Sequence, residues 1–405
     1  MRGREDGAGR AEGAVLPLPQ APEAIELRHL RAFAAVAEEL SFSRAAARLY
    51  LSQPALSRQI RALERLVGCE LLRRTTHRVG LTAAGEALLE RTRRILLEVD
   101  DAVAVTRAAG GEAAGRIERL MRPLTAIATT ACLPELREAN EVLLAEFPVP
   151  AETDIRPVNA NGVPSFVLNS GPERPATLLY LHGGGYTMGS AYGYRSLAGA
   201  LCAAAGTAAL LPEYRLAPEN PYPAAVEDAV RAYRWMLERA PGADSLAVAG
   251  DSSGGGLVLC LLAALKREGL PLPGRAVLLC PWLDLSCRHL ANSAPQAMLT
   301  VVRAAARDYL AGHPAGDPLL DPLSADLAGY PPVLVQAADA DALVHEARLF
   351  VERARERGVE AVLDLYPVEE HVFHMFWSFL PEAADALANA AAFLRSPAPG
   401  AWSAR

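Results

Sequence analysis

The residues best suited to covalent chemistry lie in four separate short segments. Gly250-Asp251-Ser252-Ser253-Gly254 follows the apolar run 246–249 and precedes a second apolar stretch. A G-x-S-x-G sequence between strand and helix forces its serine onto a tight turn that presents Oγ above a sheet. Ser252 is therefore the candidate nucleophile. A serine hydroxyl is weak until a base takes its proton, and the base needs a carboxylate to hold its tautomer. His371, after the run 362–366, is the candidate base, while His374 reads as a neighbour packed in the core. Asp339, Asp341 and Glu346 all fall in or near the loop after the run 333–336, and spacing does not choose among them. The fourth segment is His182-Gly183-Gly184-Gly185-Tyr186, where missing side chains let backbone N–H groups approach a developing oxyanion. The amides of Gly183, Gly184 and Ser253 are the expected oxyanion hole.

These groups need a frame. Apolar runs at 177–181, 208–211, 246–249, 276–279, 333–336 and 362–366 alternate with amphipathic stretches. That alternation predicts a mostly parallel sheet covered by helices on both faces. The candidate groups then gather beyond the strands' carboxyl ends, where sites of such sheets lie. The order Ser, Asp, His is that of an α/β-hydrolase triad.

The first hundred residues are of another kind. Leu27, Leu30, Phe33, Val36 and Ala37 have helical period. A second helix is expected with Ser43 as its N-cap, and a third with Ser52 as N-cap and Pro54 in its first turn. That third helix would hide Ala55, Leu56, Ile60 and Leu63 and expose Ser52, Gln53, Ser57, Arg58 and Arg61, the arrangement of a helix-turn-helix. Residues 71–81 read as a hairpin wing whose Arg73, Arg74 and Arg78 would neutralise phosphates. Thr82 would cap a long helix in which Leu88, Thr92, Ile95, Val99 and Ala102 recur at seam spacing, as for pairing with a second copy.

Charge divides the chain in the same place. The 405 residues carry a net charge of -7, yet residues 26–96 hold thirteen Arg against seven Glu. A basic head is thus fused to an acidic body. The expected divisions are a disordered tail at 1–25, the winged helix-turn-helix at 26–81, a linker and dimerisation helix at 82–117, the hydrolase body with its cap at 118–396, and a second tail at 397–405. No signal peptide or membrane span is expected, which points to the cytoplasm. Cys202, Cys260 and Cys280 sit in apolar stretches and no pair has C-x-x-C spacing, so neither metal nor cofactor is expected.

Two resemblances sharpen these readings. Residues 26–33, 42–49, 51–64 and 81–86 resemble the winged helix-turn-helix of LysR-type transcriptional regulators, a match that runs to about residue 108 and then stops. It implies a dimeric binder of double-stranded DNA with Ser52, Gln53, Ser57 and Arg58 facing the major groove. The usual effector domain is absent after Ile117. The body, over roughly residues 120–396, resembles the hormone-sensitive-lipase-like α/β-hydrolases in His182-Gly183-Gly184-Gly185-Tyr186, in 213–219, in 222–228, in 250–255 and in 371–376. That resemblance implies a carboxylic-ester hydrolase for short or medium acyl chains, with cap helices near 134–146 and 300–311. It also favours Asp341, in Asp341-Ala342-Leu343, as the acid. Glu213, Ser253 and Val344-His345-Glu346 depart from the family pattern without removing a catalytic group. Phe373, Phe376, Trp377 and Phe379 fall where an acyl pocket would be lined, although their spacing also suits a core.

The whole is read as a serine carboxylesterase fused to a DNA-binding head, acting as a transcriptional regulator. Two alternatives are a regulator that uses the hydrolase fold mainly as a small-molecule sensor, and a plain esterase with a vestigial head.

Overall fold

The computed structural model describes residues 25–49, 51–74, 79–109, 111–151, 153–170, 176–290 and 296–396. The expected tails fall outside these residues, apart from Ile25. The chain forms two compact units that divide after Val103.

The head has helices α1 (Leu27–Glu39), α2 (Phe42–Arg48) and α3 (Gln53–Val67), a hairpin of β1 (Leu72–Arg74) and β2 (Val79–Leu81), and the start of α4 (Ala83–Ala109). The cap of α2 is Ser41 and not Ser43: the chain leaves α1 at Leu40 with φ 47°, and Ser41 is extended at φ -153°, the conformation that frees its hydroxyl to accept from the Arg44 amide at 3.4 Å. Ser43 already lies inside the helix. Ser52 caps α3, accepting from the Ala55 amide, and the helix stops at Gly68 in the left-handed region. Leu56, Ile60 and Leu63 of α3 close on Phe33 and Val36 of α1 and on Ala45 and Ala46 of α2. Ala55 is only half-buried.

Two polar ties fix the wing. Glu64 accepts from the Leu71 and Leu72 amides, and Thr82 both donates to the Glu70 carbonyl and caps α4 at the Gly85 amide, 3.0 Å away. The expected seam on α4 splits: Leu88 packs against the head's own core and Thr92 is fully buried, whereas Ile95 is exposed and Val99 half-exposed. The Ala102 side chain lies outside the described set.

The body opens with α5 (Glu112–Ile127) and α6 (Leu133–Ala145). The six expected strands are β5 (Ala176–Leu181), β6 (Ala208–Pro212), β7 (Ala247–Asp251), β8 (Arg275–Leu279), β9 (Val333–Ala338) and β10 (Ala361–Tyr366). Two more precede them, β3 (Thr153–Ala160) and β4 (Val163–Ser170), joined at Asn161-Gly162 with φ 52° and 90°. The sheet runs β10-β9-β8-β7-β5-β6-β4-β3, antiparallel at β3/β4 and β4/β6 and parallel elsewhere.

Side chains alternate across a strand, and the core follows. Leu179, Leu181, Val248, Leu278 and Val335 meet α8 (Ala224–Leu237), α9 (Ser253–Arg267) and α11 (Val344–Glu356). Leu178, Tyr180, Ala249, Val277 and Leu334 meet α7 (Arg195–Ala205) and α12 (Pro381–Arg395) on the other face. Among the described residues no helix is long and apolar enough to cross a membrane.

The head's core is small, so each large residue in it matters. Ile60→Ala removes a fully buried side chain and is expected to destabilise the head by about 2–5 kcal/mol, read as a lowered urea midpoint by circular dichroism; a change within the error of the measurement would contradict this packing.

Candidate active site

Strand β7 delivers Ser252 to the sheet's carboxyl edge, and α9 starts one residue later. Ser252 has φ 50° and ψ -122°, a conformation sparsely populated by residues with a side chain. Its backbone is held on both sides: the amide donates to the Leu279 carbonyl at 2.9 Å, and its own carbonyl accepts from the Trp282 amide at 2.9 Å. The flanking glycines make the turn possible. A Cβ at Gly254 would stand 2.1 Å from the Leu181 carbonyl oxygen, and one at Gly250 2.4 Å from the Gly254 oxygen.

His371 reaches this serine from the loop after β10. Its Nε2 lies 2.9 Å from Ser252 Oγ and its Nδ1 2.7 Å from Asp341 Oδ2. The other Asp341 oxygen accepts from the Leu343 amide at 3.0 Å. Of the three acids that spacing left open, Asp341 is the one bonded to the ring. Asp339 is exposed, and Glu346 is buried with Oε2 accepting from the Leu283 and Asp284 amides.

Electrostatics follow this geometry. Burial pushes the Asp341 carboxyl up, but the facing His371 ring, the bond to it and the Leu343 amide outweigh burial and hold it below its ordinary value. Burial lowers the His371 ring, and Asp341, with help from Asp251 and Glu346, raises it beyond that loss, so the net shift is upward from 6.5. Glu346 is pushed up to about 7 by burial, against the pull of its two amide donors. His374 is fully buried beside Gln336 and is pushed down to about 3 by burial and by His371. It is therefore a neutral core residue.

Cys280 Sγ, an Asp341 oxygen and a His371 nitrogen lie within 4.8 Å of one another. Both ring nitrogens are already engaged, and burial raises the Cys280 thiol, keeping the sulfur protonated. Asp341 is the common partner, hydrogen-bonded to the His371 ring and to the Cys280 thiol.

The glycine loop differs from expectation in one respect. The Gly183 amide donates to Asp251 Oδ1 at 3.0 Å, so it is not free for an oxyanion. Asp251 is fully buried, also accepts from the Tyr180 hydroxyl at 2.8 Å, and is pushed up to about 6 by burial. The amides of Gly184 and Gly185 have no hydrogen-bond acceptor among the described residues, and both glycines line the cavity beside Ser252. The Ser253 amide is in the first turn of α9, where amides lack intrahelical partners. The Ser253 hydroxyl accepts from the Tyr186 amide at 3.3 Å, tying the loop to the helix. His182 is stacked between Tyr194 and Tyr214 and is pushed down to about 4 by burial, so it is a neutral support for the loop.

Sequence reasoning missed Arg137. From α6 it donates to the carbonyls of Thr187 at 2.7 Å and Ala217 at 2.9 Å and forks onto both oxygens of Glu219. It locks the cap helix to the segment that follows the glycine loop. No periodicity in the sequence announces a contact fifty residues away.

A cavity of about 500 Å3 opens over Ser252 and His371. Its walls come from Met121 and Leu124 of α5, Leu133 and Leu136 of α6, and Val302 and Ala305 of α10 (Gln296–Leu310). Phe376 lines it; Phe373 is buried in the core, Trp377 donates to the Ser196 hydroxyl, and Phe379 lies under the Arg116 guanidinium.

In the head, Gln53, Arg58, Arg61 and Arg73 are exposed and Ser57 is half-buried, accepting from Arg61 at 3.1 Å. Ser52 is exposed, and its hydroxyl serves the α3 cap. Arg74 lies in β1, but its side chain, like the whole of Arg78, is outside the described set.

Residues 178–375 match the family model of the α/β hydrolase fold, and residues 27–86 that of bacterial regulatory helix-turn-helix proteins of the lysR family. An acetyl-hydrolase of Streptomyces hygroscopicus is 43% identical over 225 residues, which span 54% of this chain and 75% of that protein. A crystal structure of an esterase from the bacterial hormone-sensitive lipase family superposes with TM-score 0.64 at 36% identity, covering 69% of this chain and 96% of that one. The body belongs to the hormone-sensitive lipase family of α/β hydrolases. The head is similar to the helix-turn-helix part of lysR-family regulators: over 80 residues, 20% of this chain, it is 64% identical to an uncharacterised HTH-type transcriptional regulator of Escherichia coli K12, 27% of which is covered. The chain is thus an ester-hydrolysing serine hydrolase fused to a LysR-type DNA-binding domain.

The His371 environment is directly measurable. Its imidazole is expected to titrate above 6.5, because Asp341 stabilises the charged ring, and Asp341→Asn is expected to bring that midpoint down. Imidazole nitrogen NMR reads both; an unchanged midpoint in the variant would contradict the pairing.

Proposed function

We propose that Ser252, His371 and Asp341 act as the catalytic triad of a carboxylesterase for short or medium acyl chains. The observation that carries this is the continuous hydrogen-bonded path from Ser252 Oγ through His371 to Asp341, at 2.9 and 2.7 Å. Ser252 Oγ attacks the ester carbonyl while His371 Nε2 takes its proton. The amides of Gly184, Gly185 and Ser253 stabilise the tetrahedral oxyanion. The imidazolium, stabilised by Asp341, then protonates the departing alcohol as the acyl–Ser252 ester forms. Water, deprotonated by His371, attacks that ester; the proton returns to Ser252 and the carboxylic acid leaves.

The head, in this reading, binds operator DNA as a homodimer, with its two recognition helices about 34–36 Å apart. Gln53, Ser57, Arg58 and Arg61 meet base edges, with Ser52 at the same face, while Arg73, Arg74 and Arg78 of the wing meet phosphates. The site of action is the cytoplasm, where the DNA is. A second reading, in which cavity occupancy controls DNA binding, is favoured by α5: it starts three residues after α4 ends, and its Met121 and Leu124 line the cavity.

Aryl acetates are the first substrates to test, given the acetyl-hydrolase relative. Ser252→Ala is expected to lower kcat on the order of 10⁶-fold, and equal rates for the two proteins would contradict the triad. Arg58→Ala is expected to cost about 1–3 kcal/mol of binding and relax preference at one base pair, while Arg73→Ala weakens all sequences and lowers the salt slope by about 1. Quantitative band-shift titrations at several salt concentrations separate them. A DNA affinity unchanged by any concentration of a slowly hydrolysed ester would exclude the second reading.

A further inference from the structure

Along α6 the residues that face the cavity are Leu133, Leu136, Asn140, Leu143 and Leu144, a leucine stripe interrupted by one amide. Asn140 is 8% exposed, and its Nδ2 has no hydrogen-bond partner among the described residues. Leaving a buried amide unpaired costs about 1–3 kcal/mol. A leucine would continue the stripe without that cost, so the amide is explained by something that enters the cavity.

The helix that carries it is fixed. Arg137, three residues earlier, is bonded to Thr187, Ala217 and Glu219, and Glu141, the next residue, accepts from the Ser190 hydroxyl at 2.9 Å. Asn140 is thus presented from a rigid element, as a group that reads a ligand must be. Nothing else in the proposed reaction uses it, because nucleophile, base, acid and oxyanion donors are supplied elsewhere. The other α6 residues that line the cavity are leucines, which suit the hydrocarbon part of a substrate.

We propose that Asn140 is a specificity-determining residue, and that the preferred substrates are esters bearing a second oxygen acceptor, a carbonyl or hydroxyl on the chain apart from the scissile ester, which accepts from Asn140 Nδ2. The inference rests on the cavity being the ester site. Plain alkyl esters enter the same cavity but leave the amide unpaired, so they are discriminated against. The asymmetry is general: a site built around a buried polar group rejects the analogue that lacks its partner more strongly than an apolar site rejects an added oxygen.

The experiment uses the full chain and two matched pairs of p-nitrophenyl esters, butyrate with acetoacetate and valerate with levulinate. Wild type is expected to favour the oxo ester of at least one pair by about tenfold in kcat/KM, the size of one neutral hydrogen bond. Asn140→Leu is expected to abolish that preference while hydrolysing the alkyl ester at least as fast, with a Tm equal to or above that of wild type. Asn140→Asp, of the same shape but without the amide donors, is expected to lose the preference too, and serves should the leucine variant not fold. Oxo-to-alkyl ratios that are the same in wild type and variants, for both pairs, would overturn the inference. If wild type cleaves none of the four esters, the hydrolase reading fails, and calorimetric binding of the same pairs to Ser252→Ala still decides the role of Asn140: an oxo preference lost on adding Asn140→Leu supports it, and equal binding overturns it.

Discussion

The body depends on one strained turn. Ser252 is held with positive φ between a strand and a helix, at a cost of about 1–3 kcal/mol, and the geometry around it exists to keep it there. Gly250 and Gly254 allow strand, helix and the β5 edge to approach within distances that any side chain would block. The Leu279 carbonyl of β8 and the Trp282 amide of the loop after it hold its backbone. The result is a hydroxyl aimed away from the core, with the first amides of α9 behind it and His371 within hydrogen-bond reach.

Around that turn, buried polar groups are arranged so that the ones next to the serine support the base without competing with it. His182 and His374 are neutral because burial lowers them, and Asp251 and Glu346 rise for the same reason. Each has a positional duty. Asp251 ties Tyr180 to the Gly183 amide, and Glu346 holds the Leu283 and Asp284 amides of the loop after β8. Asp341 is the one of these acids hydrogen-bonded to the His371 ring, and in turn the charged form of His371 is favoured. Arg137 extends the same rigidity to the cap.

Much of this was legible in the chain. Six strands followed from apolar runs, and Ser252 and His371 followed from what ends those runs. Spacing did not choose among the acids and the resemblance favoured Asp341; the path of the loop then separates the exposed Asp339 from Asp341, which is hydrogen-bonded to His371. The Gly183 amide was misread for a similar reason: the Asp251 carboxylate that occupies it is sixty-eight residues away. Strands β3 and β4 were missed although Asn161-Gly162 is a hairpin turn dipeptide, since the hairpin is at the sheet edge, its outer strand β3 is largely uncovered, and its apolar pattern is correspondingly weak. Ser41 displaced Ser43 as a cap because the left-handed Leu40 ends α1 directly before it. Local chemistry was readable; pairings across the fold were not.

The joining of the two units gives the chemistry of Ser252 a wider meaning, since the regulator head carries an enzyme where a sensor is usual. The central claim is that this serine, and no other, is the activated one. Treating the native full chain with a fluorophosphonate and mapping the adduct by peptide mass spectrometry tests it most directly. One label per chain on Ser252, absent from Ser252→Ala, is the predicted result. A label on Ser253 or any other residue, or a wild-type chain that stays unlabelled, would contradict the account.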